Sequence, residues 1–271
     1  MNDTTLLVLP GIAGGFSARR GFGAALAAAG LTDREVVGLD LPGMLAERAP
    51  ASIDELVGSA VDAIGRQGAA VDVMGESIGA TVAVRVAAER PDLVRSLILV
   101  APVGFARTVS TPVVTSQASD AITALYVDHE QPVASALGAF VSPHFQATPE
   151  QVREYSEYRV EDVRGAARMV AAWWSTGAFD SAGVAERHDD LRAVRQPVQL
   201  VWGRDDDWTG LDSAFFLLRR LRTVQLRVIP RCGHLVSLEA PRALGRIVQT
   251  FLGLFAEPDP VTPPAGGAGA R

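Results

Sequence analysis

The chain has 271 residues, of which 48% are hydrophobic and 21% charged, the composition of a globular protein long enough for one large α/β domain with an insertion. Its formal net charge of −6 argues against a nucleic-acid partner, whose phosphates call for a basic surface. No run of about 18 apolar residues predicts a membrane span, and the single cysteine, Cys232, has no internal disulfide partner. The opening MNDTTLLVLPGIAGG reads as a first strand rather than a signal peptide, so a cytoplasmic location is expected. All 25 basic residues are Arg, which removes lysine Schiff-base and lysine general-base chemistry.

Short apolar runs alternate with longer helical patterns, as in a parallel sheet covered by helices on both faces. In chain order the predicted strands are Thr5–Leu9, Glu35–Asp40, Val71–Met74, Leu97–Val100, Val198–Trp202 and Val224–Ile229. Most are near-continuous Val, Leu and Ile, the mark of strands buried on both faces. Ser52-Ile-Asp-Glu55 is a capping box opening a helix whose apolar face is Ile53, Leu56, Val57, Ala60 and Ile64. A second helix begins just after Ser77 and stops near Arg90, because Pro91 does not continue it. A last helix follows Pro241, with Leu244, Ile247, Val248, Phe251, Leu252 and Phe255 at helical spacing.

Residues 105–196 break this rhythm. The segment is polar-aromatic, helical in pattern and far too long for a loop, so it reads as an inserted helical cap between core segments 1–104 and 197–256. The remainder, 257–271, is rich in Pro, Gly and Ala and reads as a disordered tail. No internal repeat is seen.

The chemistry-bearing motif is Gly75-Glu-Ser-Ile-Gly79, a G-x-S-x-G lying between a predicted strand and a predicted helix. A serine on so tight a turn has a strained backbone and needs small neighbours two residues away on either side. The turn lifts the Ser77 hydroxyl above the sheet edge, where helix-terminal N–H groups favour negative charge. The alternative is a Gly-rich turn whose serine only caps the helix.

These features resemble the α/β-hydrolase superfamily over nearly everything outside the cap and tail. Gly75–Gly79 matches its nucleophile elbow, Leu7–Ile12 resembles its oxyanion loop, and Asp40-Leu-Pro-Gly43 resembles its post-strand turn. The run from the elbow to Pro102 is similar to capped members such as esterases and carbon–carbon bond hydrolases. The resemblance implies an α/β-hydrolase fold: a mostly parallel central sheet of about six strands, helices on both faces, and an inserted helical cap. There are two departures. Pro10-Gly11 stands where the family has His-Gly, and, with the first predicted strand at the N-terminus, the family's leading antiparallel hairpin is not expected.

The resemblance also implies the site. The acid follows the fifth strand, in Gly203-Arg-Asp-Asp-Asp-Trp208, where pattern alone does not separate Asp205, Asp206 and Asp207. The family spacing selects Asp206, leaving the other two as solvated loop carboxylates. Of four histidines, His129 and His144 fall in the cap and His188 in a charged stretch ending it, whereas His234 follows the last strand at the same sheet edge as Ser77. Ser77, Asp206 and His234 are therefore the expected nucleophile, acid and base, with the backbone N–H groups of Ile12 and Ile78 as the oxyanion hole.

In the cap, Tyr126, His129, Tyr158, Trp173 and Trp174 are candidate substrate-binding residues, although Trp173 and Trp174 are equally suited to packing. The expected function is hydrolysis of an ester, thioester or carbon–carbon bond of a small organic substrate through an acyl-enzyme. A lyase or cyclase using the same pocket for acid–base chemistry is the alternative, and a non-catalytic receptor is the third reading. No His/Cys/Asp/Glu cluster has metal-ligand spacing, and Gly11–Gly15 lacks the Gly-Lys ending of a phosphate loop. Neither a metal nor a cofactor is expected, and the expected partner is a small-molecule substrate.

Overall fold

Six strands, every neighbouring pair parallel, form one sheet in the order β2-β1-β3-β4-β5-β6. The computed structural model describes residues 5–11, 34–39, 53–105, 137–138, 140–158 and 188–254. The strands are β1 (Leu6–Leu9), β2 (Val36–Gly38), β3 (Val71–Glu76), β4 (Val94–Val100), β5 (Val198–Gly203) and β6 (Val224–Ile229). The described helices are α1 (Ile53–Gly65), α2 (Ile78–Glu89), α3 (Pro149–Tyr158), α4 (His188–Ala193), α5 (Leu211–Arg220), α6 (Val236–Glu239) and α7 (Pro241–Gly253).

Alternation along the strands divides the core into two layers, because successive side chains point to opposite faces. Leu7, Leu9, Val73, Leu97, Leu99, Leu200 and Trp202 pack with residues of α1, α2 and α5 on one face. Leu6, Val8, Met74, Ile98, Val100 and Val201 pack with Leu244, Val248, Phe251 and Leu252 of α7 on the other. Burial on both faces accounts for the near-continuous apolar runs of β3, β4 and β5. In α1 the buried residues are Leu56, Val57, Ala60 and Ile64, the predicted stripe without its first member. Ser52 and Phe255 lie outside the described residues.

Among the buried charges, Asp72 lies farthest from Ser77 along β3. Asp72, the second residue of β3, is fully buried, and its carboxylate accepts hydrogen bonds from Arg34, from Arg95 and from Ser96 Oγ at 2.6 Å. A carboxylate removed from water needs such partners. The cluster lies at the end of the sheet opposite Ser77.

The strand order places the site. From β1 the chain moves outward to β2 and then crosses back to β3, so the loops after β1 and β3 run in opposite directions. A crevice at the carboxyl ends of the strands opens where such an order reverses. Of the segment predicted as a cap, 106–136, 139 and 159–187 lie outside the described residues. Tyr126, His129, Trp173 and Trp174 are among them, and Ile12 also lies outside the described residues; Tyr158 is described only as the last residue of α3.

Candidate active site

Ser77 occupies the single residue between β3 and α2, with φ 55° and ψ −120°. A non-glycine residue in this region is strained, and the surrounding structure must hold it there. It does so through Ser77 N–H, which donates to Val100 O at 2.8 Å, and Ser77 O, which accepts from Ala80 N–H at 3.1 Å. The glycines of the motif serve close approach. A Cβ on Gly79 would run into the Leu9 and Pro10 carbonyls, so glycine lets the start of α2 sit against the end of β1. Gly11 lies beside the serine, its hypothetical Cβ 3.2 Å from Ser77 Cβ. Ile78 is the first residue of α2, where N–H groups have no intrahelical acceptor.

Ser77, His234 and Asp206 are brought together from three different loops. Ser77 Oγ lies 3.1 Å from His234 Nε2, and His234 Nδ1 lies 3.0 Å from Asp206 Oδ2. All three residues are buried, at 7%, 4% and 5% exposure. The loops after β5 and β6 meet closely: Arg204 N–H donates to Ile229 O and Asp205 N–H to Cys232 O, and a Cβ on Gly203 would strike the Gly233 carbonyl.

Asp206 has a full set of donors. Its Oδ1 accepts the N–H groups of Trp208 and Thr209, each at 2.9 Å, and its Oδ2 accepts Thr209 Oγ1–H at 2.7 Å besides facing His234. Thr209 is in turn held by Trp202, whose indole N–H donates to Thr209 O. Burial pushes the Asp206 carboxyl up, but the His234 charge and these hydrogen bonds outweigh it and hold the carboxyl below its ordinary value. For His234 burial pushes the imidazole down, and Asp206 outweighs it; with Glu76 and Glu239 adding to the pull, the imidazole lies above its ordinary value.

The neighbouring acidic residues differ from expectation. Asp205 is not a solvated loop carboxylate: it is half-buried and accepts Ser142 Oγ–H at 3.0 Å. Asp207 is exposed, as expected. Cys232 is buried, and its thiol is pushed far up by burial and by the carboxylates around it, so it stays protonated. His144 is exposed, and His188 is the first residue of α4.

Sequence reasoning missed four residues that surround the three. Thr209 carries no motif of its own. Glu76 is the unspecified residue of G-x-S-x-G. Glu239 sits in a short helix that no periodicity reveals. Trp208 stacks on Phe140, with ring centroids 4.1 Å apart, and its ring lies 6.0 Å from that of His234. Among the described residues no group of three or more His, Cys, Asp or Glu side chains is arranged to hold a metal ion. No described helix is long and apolar enough to cross a membrane.

A parallel sheet with a strained serine after β3, an acid after β5 and a histidine after β6 is the architecture of an α/β-hydrolase. The alpha/beta hydrolase family model matches residues 6–247, and the chain belongs to that family. Among relatives, the chain is 31% identical over 72 residues to monoacylglycerol lipase ABHD6 of Rattus norvegicus, a match covering 27% of this chain and 21% of that protein. It is 28% identical over 213 residues to the pimeloyl-[acyl-carrier protein] methyl ester esterase of Nitrosomonas europaea, covering 75% of this chain and 79% of that protein. The chain thus spans about a fifth of the first of these relatives and about four-fifths of the second. Among solved structures, a putative lipase from Acinetobacter baumannii AYE superposes with a TM-score of 0.76 at 20% identity, over 93% of this chain and 84% of that one.

Proposed function

We propose that this protein is a serine hydrolase that cleaves an ester, thioester or carbon–carbon bond of a small organic substrate through an acyl-enzyme. The observation that carries the reading is the continuous line Ser77 Oγ, His234 Nε2, His234 Nδ1, Asp206 Oδ2, with both gaps at hydrogen-bond length. Belonging to the α/β-hydrolase family supports it, as does the 28% identity to a methyl ester esterase.

In this mechanism Ser77 Oγ attacks the substrate carbonyl while His234 Nε2 takes the hydroxyl proton. Asp206 stays ionised, fixes the tautomer of His234 and stabilises the imidazolium. The oxyanion is held by the N–H groups of Ile78 and Ile12, each such donor typically worth about 3–4 kcal/mol in the transition state. The tetrahedral adduct collapses as His234 returns the proton to the leaving group, and water then attacks the acyl-enzyme by the same route. Residues 105–196 would form the cap over this site, with Tyr126, His129, Tyr158, Trp173 and Trp174 as candidate substrate contacts. The reaction needs no cofactor, and a cytoplasmic location suits its one cysteine.

The test is intact-mass analysis after treatment with a fluorophosphonate. One adduct on the parent protein, absent from Ser77→Ala and His234→Ala, is expected. An unlabelled parent protein would overturn the serine-nucleophile reading and favour elimination or cyclisation in the same pocket.

A further inference from the structure

His234 is held from both sides along the chain by carboxylates that do not hydrogen-bond its ring. On the C-terminal side, Glu76 Oε1 accepts Ser237 N–H at 3.0 Å and Glu76 Oε2 accepts Ser237 Oγ–H at 2.7 Å. On the N-terminal side, Glu239 Oε2 accepts Gly233 N–H at 2.9 Å and Ser142 N–H at 2.8 Å. His234 N–H itself donates to Phe140 O at 2.9 Å. A five-residue stretch carrying the histidine is thus pinned at Gly233, at His234 and at Ser237.

The two carboxylates come from informative places. Glu76 directly precedes Ser77, so its bonds to Ser237 tie the serine turn to the histidine loop across 161 residues of sequence. Glu239 ties the same loop to the segment Phe140–Ser142, and the fit is close: a Cβ on Gly233 would lie 2.5 Å from Ser142 N. Glu76 is 2% exposed. A carboxylate in such a place acts on a neighbouring imidazole through low dielectric as well as through the loop it anchors.

We propose that Glu76 and Glu239 are positioning residues: together they fix the His234 loop against Ser77 and favour the protonated imidazole that forms during proton transfer. The inference rests on the serine-hydrolase reading for its kinetic consequence, while its effect on the imidazole stands apart from any reaction. Other titratable or charged groups near this loop, among the described residues, are Asp205 and Asp206 after β5, Cys232 and the exposed Arg231 on the loop itself, and the exposed His144 beside Ser142. Asp206 is the direct partner, and the proposal assigns Glu76 and Glu239 a further, separable share.

The test pairs two readouts on the full chain. The first is NMR titration of the His234 ring, assigned by its loss in His234→Ala. The second is the rate of fluorophosphonate labelling. Glu76→Gln and Glu239→Gln preserve shape and remove charge, and each is expected to lower the His234 midpoint by about half a pH unit or more. Glu76→Ala and Glu239→Ala remove the anchor, and are expected to slow labelling by about ten- to a hundredfold at all pH values. Ser237→Ala should slow labelling less and leave the midpoint in place, and the remote, exposed Asp92→Asn should alter neither. Unmoved midpoints in both Gln variants, or Ala variants that label as fast as the parent, would overturn the proposal. A parent that does not label overturns the hydrolase reading instead, and the titration still decides this one.

Discussion

Thr209 donates its hydroxyl to Oδ2 of Asp206, the same oxygen that faces His234. One carboxylate oxygen therefore serves two donors, and the threonine hydroxyl also lies 3.3 Å from His234 Nδ1. With both Oδ1 bonds supplied by backbone, Thr209 is the side chain that sets the rotation of the carboxylate toward the imidazole.

Thr209→Val, nearly the same shape without the hydroxyl, is expected to lower the fluorophosphonate labelling rate by about tenfold, the cost of a buried acceptor losing one charge-assisted bond. Thr209→Ser should restore most of the rate. Equal rates for Val and Ser would show that the hydroxyl does not matter to the histidine.

The three consecutive aspartates should separate by role. Asp206→Asn puts an amide where His234 needs an acceptor and should slow labelling by about 10⁴-fold. Asp207→Asn, at an exposed position, should leave rate and stability near those of the parent. Asp205→Asn weakens the Ser142 bond, so a stability loss of about 1 kcal/mol with labelling kept within roughly threefold is expected. Chemical denaturation and labelling kinetics on the three variants measure both quantities. A larger rate loss at Asp205 than at Asp206 would move the acid by one residue.

The contrast among these residues shows what was legible beforehand. Ser77 and His234 could be read because backbone geometry exposes them: a serine between small residues after a strand, and a histidine after the last strand. The six strands and the helices Ile53–Gly65, Ile78–Glu89 and Pro241–Gly253 were legible because burial on one stripe or on both faces leaves a periodic or continuous apolar record. Helix α5 was missed because its ends carry no side-chain cap, its buried residues being only Ser213, Ala214 and Leu217. Glu76 and Glu239 left no signal, since each acts by hydrogen bonds to backbone or serine groups that belong to no motif, and Thr209 left none because a lone threonine three residues after an aspartate forms no motif. Asp205 was misread because Ser142, its partner, is 63 residues away.

The ionisation of the pair predicts opposite trends for activity and stability. His234 must be neutral to accept the serine proton, and its pKa lies above the ordinary 6.5. Labelling should therefore fall on the acid side of a midpoint above pH 6.5. For stability, a raised histidine contributes fully below pH 6.5 and loses that contribution as pH rises through its folded pKa. A lowered aspartate contributes above 3.8 and loses it as pH falls through its folded pKa. Between these limits the pair adds most to stability, in the form that does not react. Thermal unfolding of the parent and of His234→Gln from pH 4 to 9 should show the difference narrowing as pH rises past the labelling midpoint. A midpoint below 6.5 would mean that burial, not Asp206, dominates the imidazole.

The Asp72 cluster offers the opposite dissociation, stability without chemistry. Asp72 is fully buried, Arg34 has 8% of its side chain exposed, and Arg95 has 27%. Removing one partner from such a group leaves the rest uncompensated, a cost of about 3 kcal/mol once the exposure of Arg95 is discounted. For a domain of this size that lowers Tm by roughly 6–12 °C. Asp72 is the second residue of β3 and Ser77 follows its end, so the two stand about 16 Å apart along an extended strand. Asp72→Asn should thus label at nearly the parental rate per folded molecule while unfolding at a lower temperature. Slower labelling at full occupancy of the folded state would mean that the strand transmits the loss to the serine turn, and that the register of β3 against β4, which pairs Asp72 with Ser96 and Glu76 with Val100, is part of what holds Ser77 in its strained conformation.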